Sequence, residues 1–191
     1  MPARSDWGRW VDDGRLPASG DGNGFGVDHE SDLALVAGLG LGALRWTIDW
    51  ARLEPRPGRW DTDAADLVTE VLRSARRAGL AVWAVLHDGP LPGWFADDEG
   101  GFHDPAGLGR TWPRHVDRVA EAFGDLVDVW VPVLDPFERA RDGWLLGRRP
   151  PAGAIRSASP TRSGSTTSRP TRRGASCAAA TRRGVLHRHR P

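Results

Sequence analysis

A break in composition after residue 151 limits which part of this chain can fold. Residues 1–151 contain all 25 acidic side chains, all ten tryptophans and 17 of the 26 arginines. Residues 152–191 consist almost entirely of Ser, Thr, Pro, Arg, Gly and Ala. Such a segment has too little apolar surface to offset the entropy that ordering its backbone costs. We therefore predict a folded region over residues 1–151 and a disordered tail over residues 152–191.

The tail carries nine arginines and no acidic residue, which leaves two interpretations of it. It is either a basic arm that binds nucleic acid non-specifically or the out-of-frame translation of an arginine-rich coding sequence. We favour the second, because the arginines are scattered and no aromatic side chain accompanies them for stacking on bases. No specific nucleic-acid partner is expected.

Cysteine and histidine usage gives no sign of a disulfide or a metal site. Cys177 is the single cysteine, and the six histidines lack the spacing of zinc ligands. Residues 1–10 contain neither an apolar signal core nor a membrane-spanning segment. We expect a cytoplasmic protein without a membrane contact, a metal or another cofactor.

Helical patterns alternate with strand patterns along the folded region, which is typical of βαβ units and a parallel sheet. The predicted helices lie at about 29–39, between the N-cap Asp61 and Gly79, and at 112–123. The predicted strands lie at about 41–50, 80–86 and 127–134. The second strand pattern is apolar throughout, which suits a strand covered on both faces. Pro132 is unusual inside the third, because proline donates no backbone hydrogen bond. The predicted fold class is α/β.

In such architectures the functional side chains lie at the carboxyl ends of the strands. The residues that follow the three strand patterns are Asp49 with Trp50, His87 with Asp88, and Asp135. These residues are candidates from their position alone.

Three motifs surround these strand ends in order along the chain. Residues 45–55 read Arg-Trp-Thr-Ile-Asp-Trp-Ala-Arg-Leu-Glu-Pro, residues 88–94 read Asp-Gly-Pro-Leu-Pro-Gly-Trp, and residues 130–136 read Trp-Val-Pro-Val-Leu-Asp-Pro. In this order they resemble the Arg-Phe-Ser-Ile-Ser-Trp-x-Arg-x-x-Pro, His-Trp-x-Leu-Pro-x-Trp and Trp-x-x-x-Asn-Glu-Pro motifs of glycoside hydrolase family 1, the β-glucosidase-like family. The resemblance covers about residues 6–151.

The resemblance implies a partial (β/α)8 TIM barrel that comprises about strands 2 to 4. A complete barrel usually takes about 250 residues, so we expect the N-terminal portion of such a protein, truncated or frameshifted. Three strands alone would leave open sheet edges, which invite self-association.

The implied activity is hydrolysis of O-glycosyl bonds in β-linked sugars. Enzymes of this kind use two carboxyl groups about 5 to 5.5 Å apart. Asp135 takes the place of the acid/base Glu, and Leu134 takes the place of the Asn that holds the sugar's 2-hydroxyl. The strand that carries the nucleophilic Glu in the family has no counterpart here, so we expect the chain to be inactive. The alternative is a non-catalytic remnant or pseudoenzyme.

The resemblance also implies four substrate-binding candidates. Asp88 stands at the sugar-binding His position if the motif is aligned without a gap, and His87 stands there if the alignment is shifted by one. Arg45 corresponds to an arginine that contacts the nucleophile in the family. Trp94 is a further candidate for sugar binding, or else a packing residue, since tryptophan is first a large apolar body.

Overall fold

The computed structural model describes residues 5–18, 20 and 22–152. Its centre is a sheet of three parallel strands in the order β1-β2-β3, which comprise Ala43–Thr47, Ala81–Val85 and Val129–Val131. The α-helices of the described part are α1 Asp6–Asp12, α2 Phe25–Gly38, α3 Trp50–Leu53, α4 Thr62–Arg77, α5 Trp112–Phe123 and α6 Pro136–Arg139. Short π-helical turns lie at Trp94–Asp98, Gly107–Thr111 and Ala140–Leu145, and 3₁₀ turns lie at Gly101–His103 and Gly124–Leu126. The tail expected over 152–191 lies outside the described residues except for Ala152, so its disorder stays a prediction.

Helix α4 begins and ends where its sequence predicts. The Asp61 side chain caps it by accepting a hydrogen bond from the backbone N–H of Ala64 at 3.0 Å. Gly79 has φ +78°, in the left-handed region that glycine adopts without strain after a helix. Val71 and Leu72 lie on the buried face. The helix predicted between Asp61 and Gly79 is confirmed.

The two faces of the sheet differ in what covers them. The register pairs Arg45 with Trp83 and Trp83 with Val129, so these side chains share one face. The opposite face packs against α2, α4 and α5. Buried members of this core are Leu33, Ile48, Leu72, Val82, Ala84, Val119 and Phe123. In the described part of the chain this first face is open around Trp83 and Val129, which are 44% and 37% exposed, whereas Val85 farther along the same face is buried.

Two of the strands are shorter than their sequence patterns predict. β3 stops at Val131, directly before Pro132, because proline fixes φ near about −65°, away from the extended value of a strand. β1 stops at Thr47, because Asp49 turns the chain into α3 by accepting a hydrogen bond from the N–H of Arg52 at 3.3 Å.

The sequence patterns do not predict α1 or the early start of α2. α1 begins after Ser5, whose hydroxyl accepts a hydrogen bond from the N–H of Gly8 at 2.9 Å. α2 starts at Phe25, ahead of the start predicted at about 29. None of the helices in the described ranges is long and apolar enough to cross a bilayer.

Candidate active site

Backbone hydrogen bonds hold the carboxyl ends of the three strands side by side. The N–H of Ile48, beyond β1, donates to the carbonyl oxygen of Val85 at 2.9 Å. The N–H of Leu134, beyond β3, donates to the carbonyl oxygen of His87 at 2.9 Å. The candidate carboxylates that follow at this edge are Asp49, Asp88 and Asp135.

Arg139 joins the ends of β2 and β3. Its Nη2 donates to Asp88 Oδ1 at 2.6 Å and also to the backbone oxygen of Asp88. Its Nε donates to the backbone oxygen of Leu134 at 3.1 Å. The other carboxylate oxygen of Asp88, Oδ2, accepts a longer hydrogen bond from Thr47 Oγ1 at 3.4 Å. Asp88 is therefore fixed between the end of β1 and the segment that follows β3.

Asp135 lies at the start of α6 and caps it. Its Oδ1 accepts a hydrogen bond from the backbone N–H of Glu138 at 3.3 Å. Its backbone has φ +48°, in the left-handed region, which is uncommon for a residue other than glycine. The side chain is exposed. The cap bond engages one carboxylate oxygen, Oδ1, of this candidate acid.

The structure does not bring Arg45 or Asp49 into this network. Arg45 is exposed on the open face of the sheet and has no ion-pair partner among the described residues. Asp49 pairs with Arg52, whose Nε lies 3.4 Å from Asp49 Oδ2. Burial raises the pKa of Asp49, and the nearby Arg52 opposes this shift.

The sequence that forms these strands and their ends matches a known family. Residues 22–166 match the family model of glycosyl hydrolase family 1. This chain belongs to glycosyl hydrolase family 1.

Relatives in family 1 are much longer than the matched region. The chain is 30% identical to beta-glucosidase 21 of Oryza sativa subsp. japonica over 151 residues, which is 77% of this chain and 29% of that protein. It is 29% identical to the coniferin beta-glucosidase of Pinus contorta over 153 residues, again 77% and 29%. The structure of a beta-glycosidase from Pyrococcus horikoshii superposes with a TM-score of 0.69 at 25% identity, over 78% of this chain and 35% of that one. This chain therefore spans about a third of the length of its family 1 relatives.

Asp88 and His87, the two candidates for the family's sugar-binding His position, lie in different surroundings. Asp88 faces Thr47 at the strand edge, as described above. His87 is 8% exposed, and its ring lies 5.2 Å from that of Phe102 and 6.4 Å from that of Trp112. Burial, with a contribution from the charge of Arg139, lowers the pKa of His87 to about 3. Its imidazole is therefore neutral, and its Nδ1 has no hydrogen-bond partner.

Trp94, the fourth substrate-binding candidate, is a member of an aromatic cluster. It is 7% exposed and packs edge-on against Trp50 at 5.8 Å between ring centroids. Its Nε1 donates to the backbone oxygen of Glu54 at 2.8 Å. These contacts leave little of the indole face for a sugar to stack on.

Two residues near the site are not singled out by sequence reasoning. Arg139 escapes notice because α6 is only four residues long and has no periodic pattern. Asp6 is 5% exposed and accepts a hydrogen bond from the N–H of Leu91 at 2.9 Å. Burial raises the pKa of Asp6 to about 6, against its backbone hydrogen bonds. Asp6, His87 and Arg139 line one cavity of about 30 Å³, which has room for roughly two water molecules.

The side chains of the described residues do not assemble a metal centre. No group of three or more His, Cys, Asp or Glu in this part of the chain is arranged to hold a metal ion.

His115 makes the core of this family 1 chain sensitive to acid. It is 1% exposed, stacks on Trp50 at 4.2 Å between ring centroids, and has no hydrogen-bond partner at either ring nitrogen. Burial, followed by the charges of Arg114 and Arg118, lowers the pKa of His115 to about 3. At a pH between about 3 and the unfolded pKa of about 6.5, His115 is protonated in the unfolded chain and neutral in the folded chain. The contribution of His115 to stability is complete above about pH 6.5 and falls as the pH decreases.

We expect His115→Phe to reduce the loss of stability on acidification. Lowering the pH from about 6.5 to 5 should cost the wild type about 2 kcal/mol more unfolding free energy than it costs the variant. Urea unfolding at pH 7 and pH 5 measures the difference. Val116→Ala, on the same helix and without a titratable group, serves as the control and should keep the wild-type pH dependence. An unchanged pH dependence in His115→Phe would show that this histidine does not stay neutral in the fold.

Proposed function

We propose that this chain forms the acid/base side of a family 1 β-glycosidase site, with β-linked glycosides as substrates. Its three strands then correspond to about strands 2 to 4 of a (β/α)8 barrel. The observation that carries the proposal is the position of Asp135, four residues beyond the end of β3 and directly after Leu134, which Arg139 joins to Asp88. Family membership and the likeness to proteins named as beta-glucosidases support it.

In the proposed reaction Asp135 protonates the glycosidic oxygen and later removes a proton from water. A second carboxyl group about 5 to 5.5 Å away attacks the anomeric carbon in enzymes of the retaining kind. Residues 152–191 contain no Asp or Glu. At the strand ends, Asp88 is paired with Arg139 and Asp49 with Arg52. No hydrogen bond or ion pair in the described residues joins either carboxylate to Asp135. We therefore propose that neither serves as its nucleophilic partner and that the chain is inactive by itself.

A second candidate function is weak sugar binding without catalysis. Leu134 favours it, because a leucine has no donor or acceptor for a sugar hydroxyl next to the acid/base position. The commitment of the Asp135 carboxylate to the α6 cap favours it too. In this case Asp88 and Thr47 would contact the sugar, and Asp135 would be a capping residue only.

A chimera separates the two candidates. Residues 5–152 of this chain replace the matched 35% of the Pyrococcus horikoshii beta-glycosidase, and the chimera is compared with its Asp135→Asn variant on an aryl β-glucoside. General acid–base help is typically worth about 10² to 10⁴-fold, so we expect the variant to lose at least about a hundredfold in the proton-dependent step. Equal rates would leave sugar binding as the function of this part.

We further propose that the chain self-associates through its open sheet edges and the adjoining open face. Unpaired strand edges and exposed apolar surface both favour association. Sedimentation velocity at increasing concentration should show a mass that grows with concentration. Trp83→Lys should shift the population toward the monomer, because Trp83 is exposed at the centre of the open face. Leu35→Lys, at an exposed position of α2, is the matched control, and a monodisperse wild-type monomer would contradict the proposal.

A further inference from the structure

Arg139, the last residue of helix α6, directs its side chain to two residues outside that helix. Its Nη2 donates to both the side chain and the backbone of Asp88, and its Nε donates to Leu134 O. Its side chain is only 13% exposed. A single guanidinium thus contacts both Asp88, three residues beyond β2, and Leu134, the residue before Asp135.

Arg141 on the same segment shows what an ordinary surface arginine does here. It pairs with Glu138 at 3.2 Å and with Asp142 at 2.9 Å, and its side chain is 38% exposed. None of these partners lies at a strand end. The contacts of Arg139 are therefore specific to its position and are not a general property of this arginine-rich chain.

The pairing leaves Asp88 with one free acceptor. Arg139 occupies Oδ1, whereas Oδ2 receives only the longer bond from Thr47. A carboxylate oxygen has two lone-pair sites, so Oδ2 can still accept a hydrogen bond from a hydroxyl group. Because the guanidinium is planar, the bond from Nε to Leu134 fixes the direction from which Nη2 reaches Asp88 Oδ1, which a lysine ammonium would do less well.

We propose that Arg139 is a positioning residue that aims Asp88 Oδ2 at a hydroxyl group of a β-linked sugar. This inference rests on the proposed function and adds a residue to its binding site. Arg139 acts through Asp88 and does not contact the sugar. The neighbouring His87 is buried and makes no such bond with Arg139.

The test is binding of methyl β-glucoside to the purified 191-residue chain, followed by saturation-transfer NMR on the sugar signals. Signals of the sugar report binding even when the protein self-associates. We compare the wild type with Asp88→Asn, Arg139→Gln, the double variant, Arg139→Lys and the control Arg141→Gln. Heteronuclear spectra establish that each variant is folded.

Removing one hydrogen bond to a charged group should weaken binding about tenfold. We expect this loss in Asp88→Asn and in Arg139→Gln, and no further loss in the double variant, because the two residues act as one unit. Arg139→Lys should recover part of the affinity, since lysine can reach Asp88 without holding Leu134. Arg141→Gln should bind as the wild type does.

The outcomes distinguish this inference from the proposed function. If Asp88→Asn weakens binding and folded Arg139→Gln does not, the positioning role is wrong and the sugar site stands. If the two losses add in the double variant, Arg139 acts by another route and the inference is wrong. If Arg139→Gln does not fold, Arg139→Lys decides: it must weaken binding in the wild-type background and have no effect in the Asp88→Asn background. If the wild type does not bind the sugar, this inference is wrong, whereas the proposed acid/base function is decided by the chimera with its Asp135→Asn variant.

Discussion

The purified 191-residue chain should not hydrolyse 4-nitrophenyl β-glucoside at a rate above that of buffer. Enzymes typically accelerate reactions by about 10⁶-fold or more, whereas general acid help alone provides about 10² to 10⁴-fold. Asp135 is the single candidate for that help, and its carboxylate currently accepts the α6 cap bond. A fixed-time colour assay at high protein concentration measures the rate, with the Pyrococcus horikoshii beta-glycosidase as the positive control.

A measurable rate that Asp135→Asn abolishes would contradict this expectation. Another carboxylate would then have to supply the second group. Asp49 and Asp88 are the first to replace, because both follow a strand at the same edge of the sheet. Loss of the rate in folded Asp49→Asn, with the rate kept in Asp88→Asn, would identify Asp49 as the nucleophile.

In the chimera with the Pyrococcus horikoshii protein, Asp135→Glu should raise activity by about a hundredfold. The aspartate carboxyl is withdrawn by roughly 1 Å relative to a glutamate, and a misplacement of that size can cost about 10²-fold. The gain should be largest for substrates with poor leaving groups, because their departure depends most on proton donation. Steady-state rates on methyl β-glucoside and 4-nitrophenyl β-glucoside measure this difference.

Leu134→Asn provides a separate comparison in the same chimera. It restores a donor and an acceptor for the 2-hydroxyl contact, which strengthens toward the transition state. Its effect should therefore be similar for both leaving groups. If Asp135→Glu improves both substrates equally, the longer side chain acts on binding or folding, and the acid/base assignment of residue 135 would be wrong.

Sequence reasoning predicts the elements whose signals are local and repeated. α4 has a cap, a periodic apolar face and a terminating glycine, and α5 has a buried face that includes Val119 and Phe123. Strand limits are less accurate, because single residues decide them: Asp49 caps α3 and Pro132 follows β3. α1 depends on a contact across 85 residues, between Asp6 and Leu91, which no local pattern reveals.

In the candidate site, too, some residues could be predicted from the sequence and others could not. Motif spacing places Asp49, Asp88 and Asp135 at strand ends, because parallel strands share one carboxyl edge. The same spacing cannot choose between Asp88 and His87. The motif does not show at which residue the chain leaves β2, and this decides which of the two side chains is buried. Arg139 is absent from the prediction because its importance lies in contacts to Asp88, 51 residues earlier in the chain.

The proline that ends β3 also determines how a neighbouring strand could add to this sheet. The carbonyl oxygen of Val131 accepts a hydrogen bond from Leu86 on the β2 side. In an extended chain the carbonyl and amide of one peptide unit point in opposite directions, so the nitrogen of Pro132 faces away from β2. Its missing N–H costs the existing sheet nothing and removes a donor from the free edge of β3. An incoming strand would find only a short ladder there, so the edge of β3 is the weaker site for strand addition and the edge of β1 is the one through which the proposed self-association should mainly proceed.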